Sequence, residues 1–99
     1  MSQNAQIIRG LDVLLSDYQV LYHKLRTYHW NVTGPMFFAL HAKFEELYND
    51  AALKVDELAE RLIALGSRPT RTLAAQLGQA RLVEDESGCT SVARPASRR

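Results

Sequence analysis

Two long segments with a helical apolar period, separated by one short turn, constrain the fold most strongly. Apolar side chains recur at i, i+3, i+4 and i+7 from Ile7 to about Trp30, and again from about Met36 to Leu65. Between the segments, Gly34-Pro35 marks a turn, because proline cannot continue a helix but suits the first turn of the next one. Gly66 and then Pro69 form a stop signal. The sequence therefore predicts an αα-hairpin.

The remainder of the chain is shorter and more polar. The segment from Thr72 to Leu82 predicts a short third helix, weakened by Gly78, because glycine costs about 1 kcal/mol relative to alanine inside a helix. Residues 88–99 have no apolar period and many small polar side chains, which predicts disorder. We expect an all-α fold, with one domain over residues 1–87 and a disordered tail over residues 88–99.

Length, cysteine content and charge exclude several classes of protein. The 99 residues leave room for one domain, and no stretch approaches the roughly 20 apolar residues that a membrane span requires. A single cysteine, Cys89, excludes an internal disulfide framework and a thiolate zinc site. The formal net charge is +1, so no overall field draws the chain to nucleic acid. With no signal-peptide pattern at the start, we expect a cytoplasmic protein with no membrane partner.

A two-helix hairpin leaves its apolar stripe without an opposing layer. A chain with fewer than about 70–80 ordered residues seldom builds an adequate core without a staple, a metal or a partner. We therefore expect self-association, in which two hairpins pack face to face as a four-helix arrangement with C₂ symmetry.

Four side chains of metal-binding type fall on one face of the second helix at about 100° per residue. They are His41, Glu45, Asp56 and Glu60. The first two form one i, i+4 pair and the last two form another, but the pairs are about 22 Å apart along the helix and cannot close one site. A two-fold axis near position 50 would bring Asp56 and Glu60 of one chain opposite His41 and Glu45 of an antiparallel second copy.

His29 adds a second imidazole to this arrangement. It ends the first helix on the inward face, and the short turn allows it to converge with His41. Two imidazoles and three carboxylates per site suit iron or manganese, and also zinc by geometry. A purely structural interpretation stays open: the carboxylates can be solvated, Asp56 can pair with Lys54 or Arg61, and His29 can cap a helix end.

Several segments of the chain match the pattern of one known family. They are Tyr28–Pro35 (YHWNVTGP), Leu40-His41, Phe44–Tyr48 (FEELY), Asp56–Arg61 (DELAER) and Leu65–Pro69 (LGSRP). From about Ile7 to Ser87 the chain resembles the DNA-binding proteins from starved cells, the Dps mini-ferritins of the ferritin-like group. The combination of these segments is far more specific than any single one.

The resemblance implies a fold, an assembly and a reaction. Dps proteins are four-helix bundles that assemble into dodecameric shells with ferroxidase sites at the two-fold dimer interface. The resemblance implies that iron is bound by His29, His41 and Glu45 of one subunit and by Asp56 and Glu60 of its mate, Glu45 being Asp in some members. The implied reaction is oxidation of Fe(II) to Fe(III), preferentially by hydrogen peroxide, followed by storage of ferric mineral for iron homeostasis and stress protection.

The resemblance also bears on the aromatic residues. Trp30 resembles a family aromatic that absorbs stray oxidising equivalents, although a role as a core plug fits its position equally well. We expect Tyr22, Tyr28 and Tyr48 to be core residues rather than redox partners.

The chain departs from the family pattern after Ser87. Family members continue through two more long helices, whereas Gly88 to Arg99 looks like the product of a truncated or altered reading frame. The first two helices would keep the dimer face and all five ligands. The missing pair would leave the opposite apolar face uncovered, which puts a closed shell and an iron store in question and could drive aggregation instead.

Two other functions stay open beside the ferroxidase. The chain could be a non-catalytic, truncated hairpin that dimerises with its metal residues idle. It could also bind DNA in the nucleoid, which requires several Lys or Arg side chains to neutralise phosphates. The N-terminal arm offers only Arg9 before Lys24, and further basic side chains stand in the tail, at Arg94, Arg98 and Arg99.

Overall fold

The two periodic segments form two long antiparallel helices in a computed structural model, which describes residues 3–84. Helix α1 spans Gln3–Asn31, α2 spans Phe37–Ala64 and α3 spans Leu73–Gln79. The described part of the chain contains no strand. The predicted all-α hairpin with a short third helix is confirmed, and the predicted disordered tail, residues 88–99, lies outside the described residues. None of the helices in residues 3–84 has the length and apolarity needed to cross a bilayer.

Glycines shape both ends of α2, as the turn and stop signals predict. Gly34 has φ of 101°, a left-handed conformation that side chains disfavour, and its carbonyl accepts a hydrogen bond from the Phe37 amide at 3.1 Å. Gly66 has φ of 85° and donates to Ile63, while Ser67 donates to the carbonyl of Leu62, both at 3.0 Å. This is a Schellman motif, which satisfies the last carbonyls of α2.

The core lies between the two long helices and is small. Its most deeply buried large side chains are Leu15 of α1, 2% exposed, and Leu62 of α2, 0% exposed. Burying a side chain of this size contributes about 1.5–3 kcal/mol. Leu25 and Ala51 extend the core, and Val32 closes it beside the turn.

The side of the hairpin that carries α3 remains partly uncovered. A groove of about 170 Å³ is lined by Val20 of α1 and by Leu73 and Leu77 of α3. Leu73 is 64% exposed and Leu77 is 41% exposed. The hairpin thus leaves apolar surface without an opposing layer, as the sequence predicts.

Asp12 of α1 anchors the segment that follows α2. Its carboxylate accepts hydrogen bonds from the backbone N–H of Thr70 at 3.0 Å and from the side-chain amide of Gln79 at 3.2 Å. The Thr70 hydroxyl donates to the same carboxylate. Burial raises the pKa of Asp12, but these hydrogen bonds and the charge of Arg9 outweigh burial and hold this pKa below its usual value.

Asp17 forms a second anchor one and a half turns further along α1. It is buried, and it accepts hydrogen bonds from the backbone N–H groups of Arg81 at 2.6 Å and of Leu82 at 3.1 Å, with the Arg81 guanidinium at 2.9 Å. Burial raises the pKa of Asp17, and the hydrogen bonds outweigh it, so this pKa is lowered. Because these amides bond to Asp17 instead of continuing the helix, α3 ends at Gln79 and not near Leu82 as predicted.

The Asp17 anchor predicts a stability that depends on pH. A carboxyl whose pKa is lowered by folding contributes stability above its unfolded pKa of about 3.9, and that contribution is lost as the pH falls through the lower folded value. In Asp17→Asn, we expect the free energy of unfolding at pH 7 to fall by about 1–3 kcal/mol. Urea titrations followed by circular dichroism at pH 7 and pH 3 measure both effects.

Asp50→Asn is the matched control, because Asp50 makes only an exposed ion pair with Lys54 at 3.5 Å. We expect this control to unfold like the wild type, and Asp17→Asn to lose less stability than the wild type between pH 7 and pH 3. The anchor would be contradicted if Asp17→Asn and the wild type had the same free energy of unfolding at pH 7 and lost the same amount of it between pH 7 and pH 3.

Candidate metal centre

His29 and His41 lie against each other across the turn. His29 is in the last turn of α1, and His41 is in the second turn of α2. The Nδ1 atom of His29 donates to the carbonyl oxygen of His41 at 2.7 Å, and the Nδ1 atom of His41 donates to the carbonyl oxygen of His29 at 2.9 Å. The rings are stacked, with centroids 3.7 Å apart and an angle of 22° between their planes. The structure thus brings the two imidazoles together, as the short turn predicts.

The reciprocal hydrogen bonds select one tautomer of each histidine. A carbonyl oxygen only accepts hydrogen bonds, so the proton of each neutral imidazole must be on Nδ1. The lone pair of each Nε2 atom is then free. A histidine whose Nδ1–H is held by a carbonyl, with Nε2 as the donor, is the arrangement found in protein metal sites. The pair therefore offers two preoriented nitrogen ligands.

Aromatic side chains fix the orientation of the pair. The ring of Phe37 stacks on His41 with centroids 5.0 Å apart, and the edge of Tyr48 meets His29 at 5.3 Å. His29 is only 8% exposed, whereas His41 is half-buried. Sequence reasoning missed both aromatic contacts, although Phe37 is one helical turn before His41 and that i, i+4 spacing could have indicated its contact.

The three candidate carboxylates lie on the surface of α2. Glu45, Asp56 and Glu60 are all exposed in the single chain. Within residues 3–84, no three or more His, Cys, Asp or Glu side chains of one chain come close enough to hold a metal ion. The structure therefore brings the two histidines together, but it does not bring the acids of the same chain close to them. The predicted union of both groups across a dimer stays a prediction.

The structure bears differently on each structural alternative for these residues. The exposure of Glu45, Asp56 and Glu60 agrees with solvated carboxylates, and that alternative stays open. Lys54, one of the cations considered for Asp56, instead pairs with Asp50 at 3.5 Å. His29 bonds to a carbonyl of the next helix and does not cap its own. The three acids are thus accessible to solvent, to a ligand or to a partner molecule.

Exposed apolar side chains share the face of α2 that carries the acids. Phe38 is 84% exposed, Leu53 is 61% exposed and Ile63 is 49% exposed. At about 100° per residue, all three lie within about 60° of Asp56 around the helix. Apolar side chains interleaved with acids on one face are typical of a surface that another protein molecule covers.

Trp30 lies beside the histidine pair but outside the core. It is 57% exposed, and the guanidinium of Arg26 lies 4.9 Å from its ring centroid. In the single chain, the interpretation of Trp30 as a core plug is therefore wrong. Tyr22, Tyr28 and Tyr48 are half-buried, in keeping with the expected packing role.

Comparisons with known proteins give one consistent result. The ferritin-like domain matches residues 8–92 of this chain. DNA protection during starvation protein 2 of Bacillus anthracis is 43% identical over 89% of this chain and 60% of its own length. The crystal structure of Dps from Staphylococcus aureus superposes with a TM-score of 0.85 at 43% identity, covering 92% of this chain and 60% of that one.

A third comparison concerns the Dps protein of Vibrio cholerae O1, described as a member of a broad superfamily of ferritin-like diiron-carboxylate proteins. Its structure matches with a TM-score of 0.77 at 42% identity, over 87% of this chain and 58% of that one. The helical hairpin is thus the ferritin-like fold. Within that class, the chain belongs to the Dps family, which confirms the predicted resemblance. It spans about half the length of the curated relatives it matches.

The reciprocal hydrogen bonds predict the tautomers that NMR observes. We expect long-range ¹H–¹⁵N spectra of the metal-free protein to show His29 and His41 as Nδ1–H tautomers whose ring protons exchange slowly with water. His23, which is exposed, is the internal control and should show the tautomer mixture of a solvated histidine. An Nε2–H tautomer at His29 or His41 would contradict the geometry.

Proposed function

We propose that the chain is a ferroxidase of the Dps type, which oxidises Fe(II) to Fe(III) with hydrogen peroxide at a site shared between two copies. The observation that carries the proposal is the reciprocal His29–His41 pair, with both Nε2 atoms available as ligands. Two comparisons support it: relatives carry the name DNA protection during starvation protein, and one structural neighbour is described as a diiron-carboxylate protein. Iron is the substrate of the proposed reaction. The single cysteine and the net charge of only +1 favour a cytoplasmic location.

A single two-fold axis completes the site. If α2 packs against an antiparallel copy about an axis midway between residues 50 and 51, His41 of one copy lies opposite the partner's Glu60, and Glu45 lies opposite the partner's Asp56. The same axis places Phe38 opposite the partner's Ile63. The same two-fold rotation therefore brings the two groups of ligands together and covers Phe38 and Ile63, which lie near opposite ends of α2.

The ligands of each site then come from both copies. They are His29, His41 and Glu45 of one copy with the partner's Asp56 and Glu60. Two imidazoles and three carboxylates are hard or borderline ligands that suit iron. The carboxylates carry negative charge that stabilises Fe(III) more than Fe(II), which favours loss of an electron from the bound ion. In this tautomer each imidazole carries its proton on Nδ1, so the lone pair of its Nε2 atom is available to bind Fe(II).

The shared site predicts complementation between two inactive variants. His41→Ala and Asp56→Asn should each lose peroxide-dependent Fe(II) oxidation, because each removes a ligand from both sites of its homodimer. A heterodimer of the two variants has one site with both lesions and one intact site. Mixing equal amounts after mild unfolding should therefore restore about a quarter of the wild-type activity.

Glu57→Gln is the control for this experiment, because Glu57 is exposed on α2 but lies about 100° around the helix from Asp56. It should keep the activity of the wild type. Restoration of no activity by mixing, with heterodimers present by mass, would rule out a site shared across the axis. Dimers that take up no iron at all would favour the non-catalytic hairpin.

DNA protection is the second candidate, favoured by the names of the relatives. The residues of this chain support it less well. The net charge is only +1, and the basic side chains most suited to phosphate contacts, Arg94, Arg98 and Arg99, lie outside the described residues. Assembly into a dodecameric shell and storage of ferric mineral also remain predictions for this chain.

A further inference from the structure

A second row of apolar side chains lies on the side of α2 opposite the acids. We call it the leucine stripe, and its members are Leu40, Leu47, Leu58 and Leu65. At about 100° per residue, all four lie within about 20° of the line directly opposite Asp56. Leu47 is 42% exposed and Leu65 is 37% exposed, while the other two are half-buried. Single exposed leucines are common on protein surfaces, but four on one line form a continuous apolar surface.

The leucine stripe borders the core but is not part of it. The two most deeply buried side chains of α2, Ala51 and Leu62, lie about 40° and about 60° around the helix from the stripe. Within residues 3–84, α1 is the only helix that packs against α2, and α3 packs against α1 alone. No other helix of this part of the chain therefore covers the leucines.

The spacing of the leucine stripe is symmetrical. Leu40 and Leu65 lie equally far from the point midway between residues 52 and 53, and so do Leu47 and Leu58. A two-fold axis through that point, perpendicular to α2, would place Leu40 opposite the partner's Leu65 and Leu47 opposite the partner's Leu58. A two-fold interface requires such a self-complementary surface, because every contact in it occurs twice with the roles exchanged. The stripe therefore fits a second copy of this chain.

One charged residue interrupts the leucine stripe near its middle. Between Phe37 and Leu65, the only other residue within this 20° band is Lys54. Its ammonium lies 3.5 Å from the carboxylate of Asp50, which is about 60° around the helix from the stripe. The hydrocarbon stem of a lysine can cover apolar surface while its charged end stays in water. Lys54 is thus compatible with an apolar contact along this line.

We propose that the leucine stripe is a self-association surface, on which a second copy packs its own stripe antiparallel about the axis between residues 52 and 53. The four leucine pairs extend over about 38 Å, nearly the length of α2. This surface lies on the other side of α2 from the acids, so the proposal does not rest on the ferroxidase. A chain that uses both surfaces forms assemblies larger than a dimer, built from an even number of copies.

The molar mass in solution tests the leucine stripe. Leu47→Glu would place a carboxylate in the apolar contact with the partner's Leu58, where its desolvation opposes association. We expect the average molar mass from sedimentation equilibrium to fall about twofold or more relative to the wild type. Leu73→Glu is the matched control, because it makes the same change at an exposed leucine of α3, and it should keep the wild-type mass. Circular dichroism establishes that each variant keeps its helices.

Disulfide cross-linking tests the register. In a Cys89→Ser background, which removes the only native thiol, Leu47→Cys chains mixed with Leu58→Cys chains should form a mixed disulfide under mild oxidation. Leu47→Cys mixed with Leu65→Cys is the control, because the axis leaves these two positions about 10 Å apart along the helices. The control should cross-link about tenfold more slowly or not at all.

Three outcomes would overturn the proposal. One is a wild-type mass for Leu47→Glu, and another is a control cross-link that forms as fast as the one between Leu47→Cys and Leu58→Cys. The third is a wild-type monomer in which the thiol of Leu47→Cys, again with Cys89→Ser, reacts slowly with a soluble maleimide, because the same chain would then cover the stripe. A reduced mass for Leu47→Glu, with a wild type that oxidises no Fe(II), would support the stripe and refute the ferroxidase.

Discussion

The reciprocal hydrogen bonds between His29 and His41 are the interaction on which the candidate site depends. Each imidazole is held by the backbone carbonyl of the other residue, so the ring positions are set by the end of α1 and the start of α2. Those helix ends are joined by a turn in which Gly34 adopts a left-handed conformation. Gly34, which has no metal-binding atom, thus helps to set the geometry of the two candidate ligands by allowing this turn.

The remainder of the fold keeps the opposite side of α2 available. The small core faces α1, and the anchors at Asp12 and Asp17 fasten the segment after α2 to α1 as well. Consequently, no other helix within the described residues packs over the acids and exposed apolar side chains of α2. This surface, with its exposed carboxylates and apolar side chains, is the one that the proposed two-fold axis would cover with a second copy.

Sequence periodicity predicted the helices well, because helix formation and termination depend on nearby residues such as Gly34 and Gly66. The convergence of His29 with His41 followed from the length of the turn. The tautomers did not follow, since they depend on ring rotation and on backbone carbonyls that no side-chain pattern reveals. The Asp17 anchor was missed because its partners are 64 and 65 residues away in sequence. The same anchor explains why α3 is shorter than its apolar pattern suggests.

Native mass spectrometry of the purified chain under anaerobic conditions, without and with Fe(II), tests the central claim most directly. The shared site requires a dimer, or an assembly built from such dimers, in both samples. It also requires that the two equivalent sites of each dimer bind the same number of Fe(II) ions. Iron bound to a monomer, or a monomeric chain that binds none, would contradict the account.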